Sequence, residues 1–239
     1  MFVAAIGPIA AVDLSMLASG SVQGPIETLE KAYRQQGVAI VVQFDTTPSI
    51  TKRLASGETP DILIAVAATV DQLIKDRRAI ADSRVSIGRI GIGVAVGRGS
   101  PLPDISSVDA LKNALRRAES VLLTQGAAGV YLETALRDIG VMDEISGKVT
   151  RMPTGESLTR RLGFAPGKQI GFTMISELKF GQRFGATYVG PLPAAIQRQS
   201  RYDAVVLSGS RAPVVAHTFI RYITTPAARK LFAADGWMF

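Results

Sequence analysis

The chain has no cysteine and a single histidine in 239 residues. The first absence removes disulfides, thiolate metal sites and cysteine nucleophiles together. The second leaves His217 as the only imidazole, inside the helical pattern "APVVAHTFIRYI" with no HExxH and no second histidine. Neither a zinc site nor a Ser-His-Asp triad is read there, and no GxSxG elbow occurs. Aromatic residues are few, at 6%, and no uninterrupted apolar run reaches the roughly 18 residues of a membrane-spanning helix.

The formal net charge is +7, yet Lys and Arg lie in small scattered groups such as Lys75, Arg77, Arg78 and Arg116, Arg117. A nucleic-acid surface gathers its cations in one stripe with interleaved aromatics, so no nucleic-acid partner is expected. With 47% hydrophobic and 20% charged residues the composition is that of a globular protein. The length suffices for two lobes with separate cores.

The opening "MFVAAIGPIAAV" is apolar and ends in small residues but lacks a positive n-region. It fits either a truncated export signal, whose start lies upstream, or an extra strand or N-terminal arm. From there strand and helix patterns alternate. "LSML" reads as a strand and is followed by Pro25 and the stripe Ile26, Leu29, Ala32, Tyr33 of a helix buried on one side. "VAIVVQF" leads into a capped helix with Pro48, and "DILIAV" leads through Thr69 into "VDQLIKD".

"VSIGRIGIGVAVG" fails the dinucleotide fingerprint, because Gly91, Gly93 and Gly97 lie inside an apparent strand rather than after one. It reads as a strand that another backbone approaches closely. A second round follows: a helix capped by Ser107, the strand "SVLLT", a glycine-started helix ending at Gly140, the strand "KVTRMP", a short helix with Thr154 or Glu156 near its start, and "QIGFTMI". The C-terminal part gives the strand "YDAVVLSG" and two helices, the second capped by Thr225 with Pro226. Such alternation predicts an α/β fold of two lobes with mostly parallel sheets joined by a hinge, with a ligand cleft between them. Residues 1–85 with 200–239 form the first lobe and 86–199 the second.

Four strand-to-helix turns are rich in Ser, Thr, Gly and Ala: Ser19 to Ser21, Asp45 to Thr47, Gln125 to Gly129 and Thr154 to Ser157. In an open sheet such turns lie where ligands bind, and helix N-termini there offer free N–H groups and partial positive charge. Ser and Thr are equally the preferred N-caps of any helix. Spacing alone leaves both readings open.

The order of motifs through "DLSMLASGSVQGPIETLEKAYRQQ" and "VAIVVQFDTTPSITKRLASGETPDILIAVAATVDQLIKD" resembles molybdate-type solute-binding proteins of ABC transporters. The closing "AHTFIRYITTPAARKLFAADGW" is similar to that family's terminal helix pair. The resemblance covers nearly the whole chain and implies a type II periplasmic-binding-protein fold closing on a ligand. It further implies an ABC permease as partner, a periplasmic location and a small oxyanion held by uncharged donors. Carried over, the ligand-binding set is Ser19, Gly20, Ser21, Thr46, Thr47, Gly126, Ala127, Ser157 and Met174, with Ser157 near the fourth-turn donor.

Two departures stand out. Met174 occupies a position where the family commonly has a tyrosine, and Asp45 replaces a glycine beside the second turn. They make a small organic carboxylate the rival ligand to molybdate or tungstate; the other alternative is an enzyme or sensor domain on the bilobal fold. Glu156 and Glu177 read as first-turn and cap residues. No residue is assigned a catalytic role, no metal or cofactor is expected, and the chain is read as a monomer.

Overall fold

Thr46, Ser107, Thr154 and Thr225 each accept a hydrogen bond from the backbone N–H three residues on, at 3.1 to 3.5 Å. Each opens a helix at the position its sequence signal indicates, since an N-cap hydroxyl satisfies a donor that the helix itself cannot. The computed structural model describes residues 13–35, 37–165 and 167–239. The opening apolar stretch, with its two readings, lies outside them.

The chain order is β1 (Leu14–Ser19), α1 (Gln23–Arg34), β2 (Ile40–Asp45), α2 (Thr47–Ala55), β3 (Ile62–Val66) and α3 (Ala67–Lys75). The long β4 (Val85–Val96) then leads to α4 (Val108–Arg117), β5 (Ser120–Thr124), α5 (Ala127–Asp138), the short α6 (Met142–Ile145), β6 (Val149–Met152) and α7 (Gly155–Phe164). β7 (Gln169–Met174), α8 (Ile175–Gly181), β8 (Thr187–Pro191), β9 (Gln199–Val206), α9 (Pro213–Ile223) and α10 (Pro226–Ala234) complete it.

The strands lie in the order β2-β1-β3-β9-β4-β7-β5-β6, with β8 added on β4. β1 pairs in parallel with β2 and β3, and β5 with β6 and β7, whereas β9 and β4 run antiparallel to their neighbours. β4 belongs to both groups. Its Val85–Gly91 stretch pairs with β9, and from Ile92 onward it pairs with β7. The result is the expected α/β architecture of two halves with a cleft between them.

Strand periodicity fixes which helix covers which face. In β1 and β3, Leu14, Met16, Ile62 and Ile64 turn toward Ile26 and Leu29 of α1 and Phe219 and Ile220 of α9. Leu17, Leu63 and Ala65 turn the opposite way, against Ile50 and Leu54 of α2 and Val70 and Leu73 of α3. Covered on both faces, these strands are continuous apolar runs, as a doubly wound sheet requires.

The close backbone approach expected in the glycine-rich strand occurs at Gly88, where a Cβ would sit 2.7 Å from the carbonyl oxygen of Met238. There the C-terminus joins the crossing strand, since Arg89 N–H donates to Met238 O at 2.7 Å and Met238 N–H to Arg89 O at 2.9 Å. Trp237 is thereby packed edge-on against Phe232 and Tyr202, with ring centroids 5.7 and 5.3 Å away. Sequence patterning missed β8 and α6, and it began α3 two residues late, at Thr69 rather than Ala67.

Candidate functional site

The helix starts between the two halves converge. A small cavity of about 30 Å³ is lined by Ser19, Ser21, Thr46, Thr47, Gly126, Ala127 and Met174, together with Asp45, Thr124, Thr173, Glu177 and Tyr202. It adjoins a recess of about 370 Å³ that contains Gly20, Ser157, Phe44, Arg160 and Phe180 and shares Asp45, Thr46, Gly155 and Glu177. On the other side, past Ala127, Ala128 and Met174, lies a recess of about 300 Å³ that reaches Tyr131, Arg198 and Arg201. All nine residues carried over from the resemblance thus line this connected region, seven of them in the central cavity.

Local hydrogen bonding decides which donors remain open. At α2 the Asp45 carboxylate accepts from Thr46 N–H at 2.8 Å and from the Ser49 hydroxyl at 2.5 Å, with Arg53 3.6 Å away. The carboxylate that was unwelcome beside an anion is tied back into its own turn. Pro48 has no N–H, so Thr47 supplies the backbone donor of that turn. No side chain caps α5, which leaves the N–H groups beginning at Ala127 directed at the cavity.

Ser157 differs from the expectation. Its N–H donates to Thr154 Oγ1 at 3.1 Å, its hydroxyl donates to Thr154 O at 2.8 Å, and it accepts from Thr154 N–H at 3.0 Å. A reciprocal cap occupies all its polar groups. The donors left open in that turn are therefore backbone N–H groups at the start of α7, Gly155 first.

Two residues overlooked as ligand contacts dominate the centre. The Tyr202 hydroxyl lies 3.3 Å from Ser21 Oγ, which in turn receives the Ser19 hydroxyl at 3.2 Å. Burial pushes the Tyr202 phenol up to about 12, so it stays an O–H donor at neutral pH; the Glu177 charge adds to this and the bond from Ser21 opposes it. A tyrosine donor is therefore present in the cavity after all. It comes from β9 rather than from the end of β7, where Met174 stands.

Glu177, on the first turn of α8, places its carboxyl in the cavity. Oε2 accepts from the Thr173 hydroxyl and from Met174 N–H, the latter at 3.3 Å. Burial raises the Glu177 pKa, and those two hydrogen bonds oppose the rise without cancelling it. Two turns from distant parts of the chain make room for this group. A Cβ added at Gly20 would sit 2.8 Å from Oε1, and one at Gly155 2.5 Å from the carboxyl carbon.

Arg160 borders the larger recess with its guanidinium 2.7 Å from Glu156 and stacked 3.9 Å over the Phe184 ring. Arg151 is paired instead with Glu133 at 2.7 Å, outside the site. Arg198 lies over Tyr131 at 5.1 Å in the opposite recess. Among the described residues no group of three or more His, Asp or Glu side chains is arranged to hold a metal ion, and no helix is long and apolar enough to cross a membrane.

Residues 14–238 match the family model described as bacterial extracellular solute-binding protein. A curated relative from Pseudomonas sp., named aconitate isomerase, is 33% identical over 233 residues, covering 93% of this chain and 86% of its own. The periplasmic molybdate-binding protein of Azotobacter vinelandii superposes with a TM-score of 0.79 at 14% identity, over 95% of this chain and 99% of that one. The L-phospholactate-bound form of PEB3, a Campylobacter jejuni protein, gives 0.70 at 15% identity, over 95% and 100%. At these low identities the two structures speak for the fold, and the two-halved α/β architecture is that of the type II periplasmic binding proteins. On the extent of the family match and the identity to its curated relative, this chain belongs to the bacterial extracellular solute-binding proteins.

Proposed function

We propose that the cleft binds a small organic polycarboxylate, of the size and charge of aconitate, in preference to a tetrahedral oxyanion. The observation that carries this reading is the pair of recesses, about 370 and 300 Å³, on either side of the central cavity, one with Arg160 and the other with Arg198 and Arg201. An oxyanion has one charged centre and no body to occupy them. A tricarboxylate can set one carboxylate at the helix N-termini and extend others toward the arginines. Volumes of this order are those of small-molecule sites.

The curated relative's name, aconitate isomerase, points to the same ligand class. In this reading the protein works outside the cytoplasm as a monomer. Ligand binding closes the two halves, and the closed form is what an ABC permease recognises.

A thermal-shift panel tests it. Aconitate, citrate or tricarballylate at a hundred times the Kd adds about 2.7 kcal/mol, a rise in midpoint of about 5–10 °C for a chain of this size. The expected result is a rise with one or more tricarboxylates and none with molybdate, tungstate, sulfate or phosphate. A rise with molybdate and tungstate alone returns the site to the oxyanion reading.

A further inference from the structure

We propose that Glu177 is the acid–base group of the reaction that the curated relative's name suggests for this cleft, a 1,3-proton shift in a bound unsaturated tricarboxylate, with Oε1 removing and returning the proton. This rests on the polycarboxylate reading above.

The two oxygens of Glu177 are unequal. Oε2 is held by the Thr173 hydroxyl and Met174 N–H. Oε1 receives no hydrogen bond from the described residues, and Glu177 lines both the central cavity and the larger recess. A proton on this carboxyl therefore resides on Oε1, the oxygen beside Gly20 of the first turn. Gly20 and Gly155 keep the space beside it free, and a methyl group at either would push the carboxyl aside. Structural capping by Glu177 needs only Oε2; it does not explain the room that Gly20 leaves beside Oε1.

The chemistry balances without an oxidant or a cofactor. A C–H bond on the methylene next to the double bond breaks, its proton passes to Oε1, and its electron pair enters the allyl system. The double bond moves one position. The O–H bond of Glu177 then breaks, and its proton, which exchanges with solvent while it rests on the carboxyl, forms a C–H bond at the carbon two places away. Negative charge develops on the ligand meanwhile, where the N–H groups of Thr47, Ala127 and Gly155 and the Tyr202 hydroxyl are set to stabilise it. One carboxyl serving as base and then as acid is most effective when its pKa lies nearer the working pH, the direction in which burial moves Glu177.

The titratable groups sharing these cavities with Glu177 are Asp45, Glu156, Arg160 and Tyr202. Asp45 is bound to Thr46 and Ser49, Glu156 is paired with Arg160, and Tyr202 remains a neutral O–H donor. Glu177 is thus the acid–base group left open to the ligand.

The test uses the full chain with trans-aconitate in deuterated buffer, following the vinyl and methylene protons by NMR and binding by thermal shift. Wild-type protein is expected to exchange these protons and to produce the second isomer. Its rate should rise with pH as Glu177 ionises. Glu177→Gln preserves an acceptor for Thr173 and Met174 N–H. It should keep the ligand-induced rise in midpoint and lose at least about 100-fold in exchange, the contribution of a general base. Glu177→Asp retracts the carboxyl by one methylene and should lose at least about tenfold.

Stability supplies a second readout. A carboxyl whose pKa is raised on folding stabilises fully below its ordinary value of 4.5, and that contribution is lost as pH rises through the folded value. Glu177→Gln should therefore gain midpoint over wild type as pH rises above that range. Ligand binding by wild type with no proton exchange overturns the inference alone, as does wild-type exchange in Glu177→Gln. Absence of any tricarboxylate binding overturns the underlying reading and this inference with it.

Discussion

Replacing Gly129 with alanine is expected to weaken ligand binding by at least about tenfold while leaving most of the fold in place. Gly129 sits in the first turn of α5, against the end of β5, and a Cβ there would lie 1.7 Å from the carbonyl oxygen of Thr124. Neither partner is a side-chain tip that can rotate away, so backbone must move. The start of α5 has to retreat from β5 by more than 1 Å, carrying the Ala127 N–H away from the cavity. Overpacking of this kind costs about 1–3 kcal/mol of stability. The effect on binding is larger. Each lost hydrogen bond to a charged group is worth about 1.5–3 kcal/mol, so loss of the Ala127 N–H alone should weaken binding about 10- to 150-fold. Isothermal titration with whichever tricarboxylate raises the midpoint checks this, with circular dichroism as the control on folding. An unchanged Kd in a folded Gly129→Ala variant would separate α5 from the ligand.

Trp237→Ala should give the largest loss of stability. The ring is 3% exposed and packs edge-on against Phe232 and Tyr202. Its neighbours on the chain are held to β4 by the Arg89–Met238 backbone pair. Truncating a buried tryptophan costs about 3–5 kcal/mol, which lowers the midpoint of a chain this size by about 10 °C. Tyr202 loses its edge-on neighbour, so affinity should fall as well. A midpoint within about 3 °C of wild type would mean that the C-terminal segment does not brace the site.

Local rules explain what could be read in advance. Ser107 and Thr225 announced their helices because capping is decided within four residues. β1, β3 and β5 were visible because burial on both faces demands apolar runs. β8 was not: "TYVGP" lies close after Gly185, ends in Pro191 and pairs with β4 alone, so tertiary pairing rather than propensity makes it a strand.

The same division runs through the site. The turns of Ser19–Ser21, Thr46–Thr47 and Gly126–Ala127 follow local signals, and the cavity gathers them. Ser157 was misjudged because a capping hydroxyl and a ligand donor look alike until the cap is seen to occupy it. Glu177 does cap Met174 N–H, as its position suggested. What the pattern hid is that Gly20 and Gly155, 135 residues apart, make room for its carboxyl in the cleft. Tyr202 meets Ser21 across 181 residues, and a tyrosine inside a strand pattern gives no hint of that partner.

The central claim is that helix N-termini from both halves bind an organic polycarboxylate. The most direct measurement is a titration of ¹⁵N-labelled protein with trans-aconitate, following the backbone amides. The account predicts saturable shifts at Thr47, Ala127 and Gly155. Silence at those three amides while others shift, or no shift anywhere with aconitate but saturation by molybdate, would contradict it.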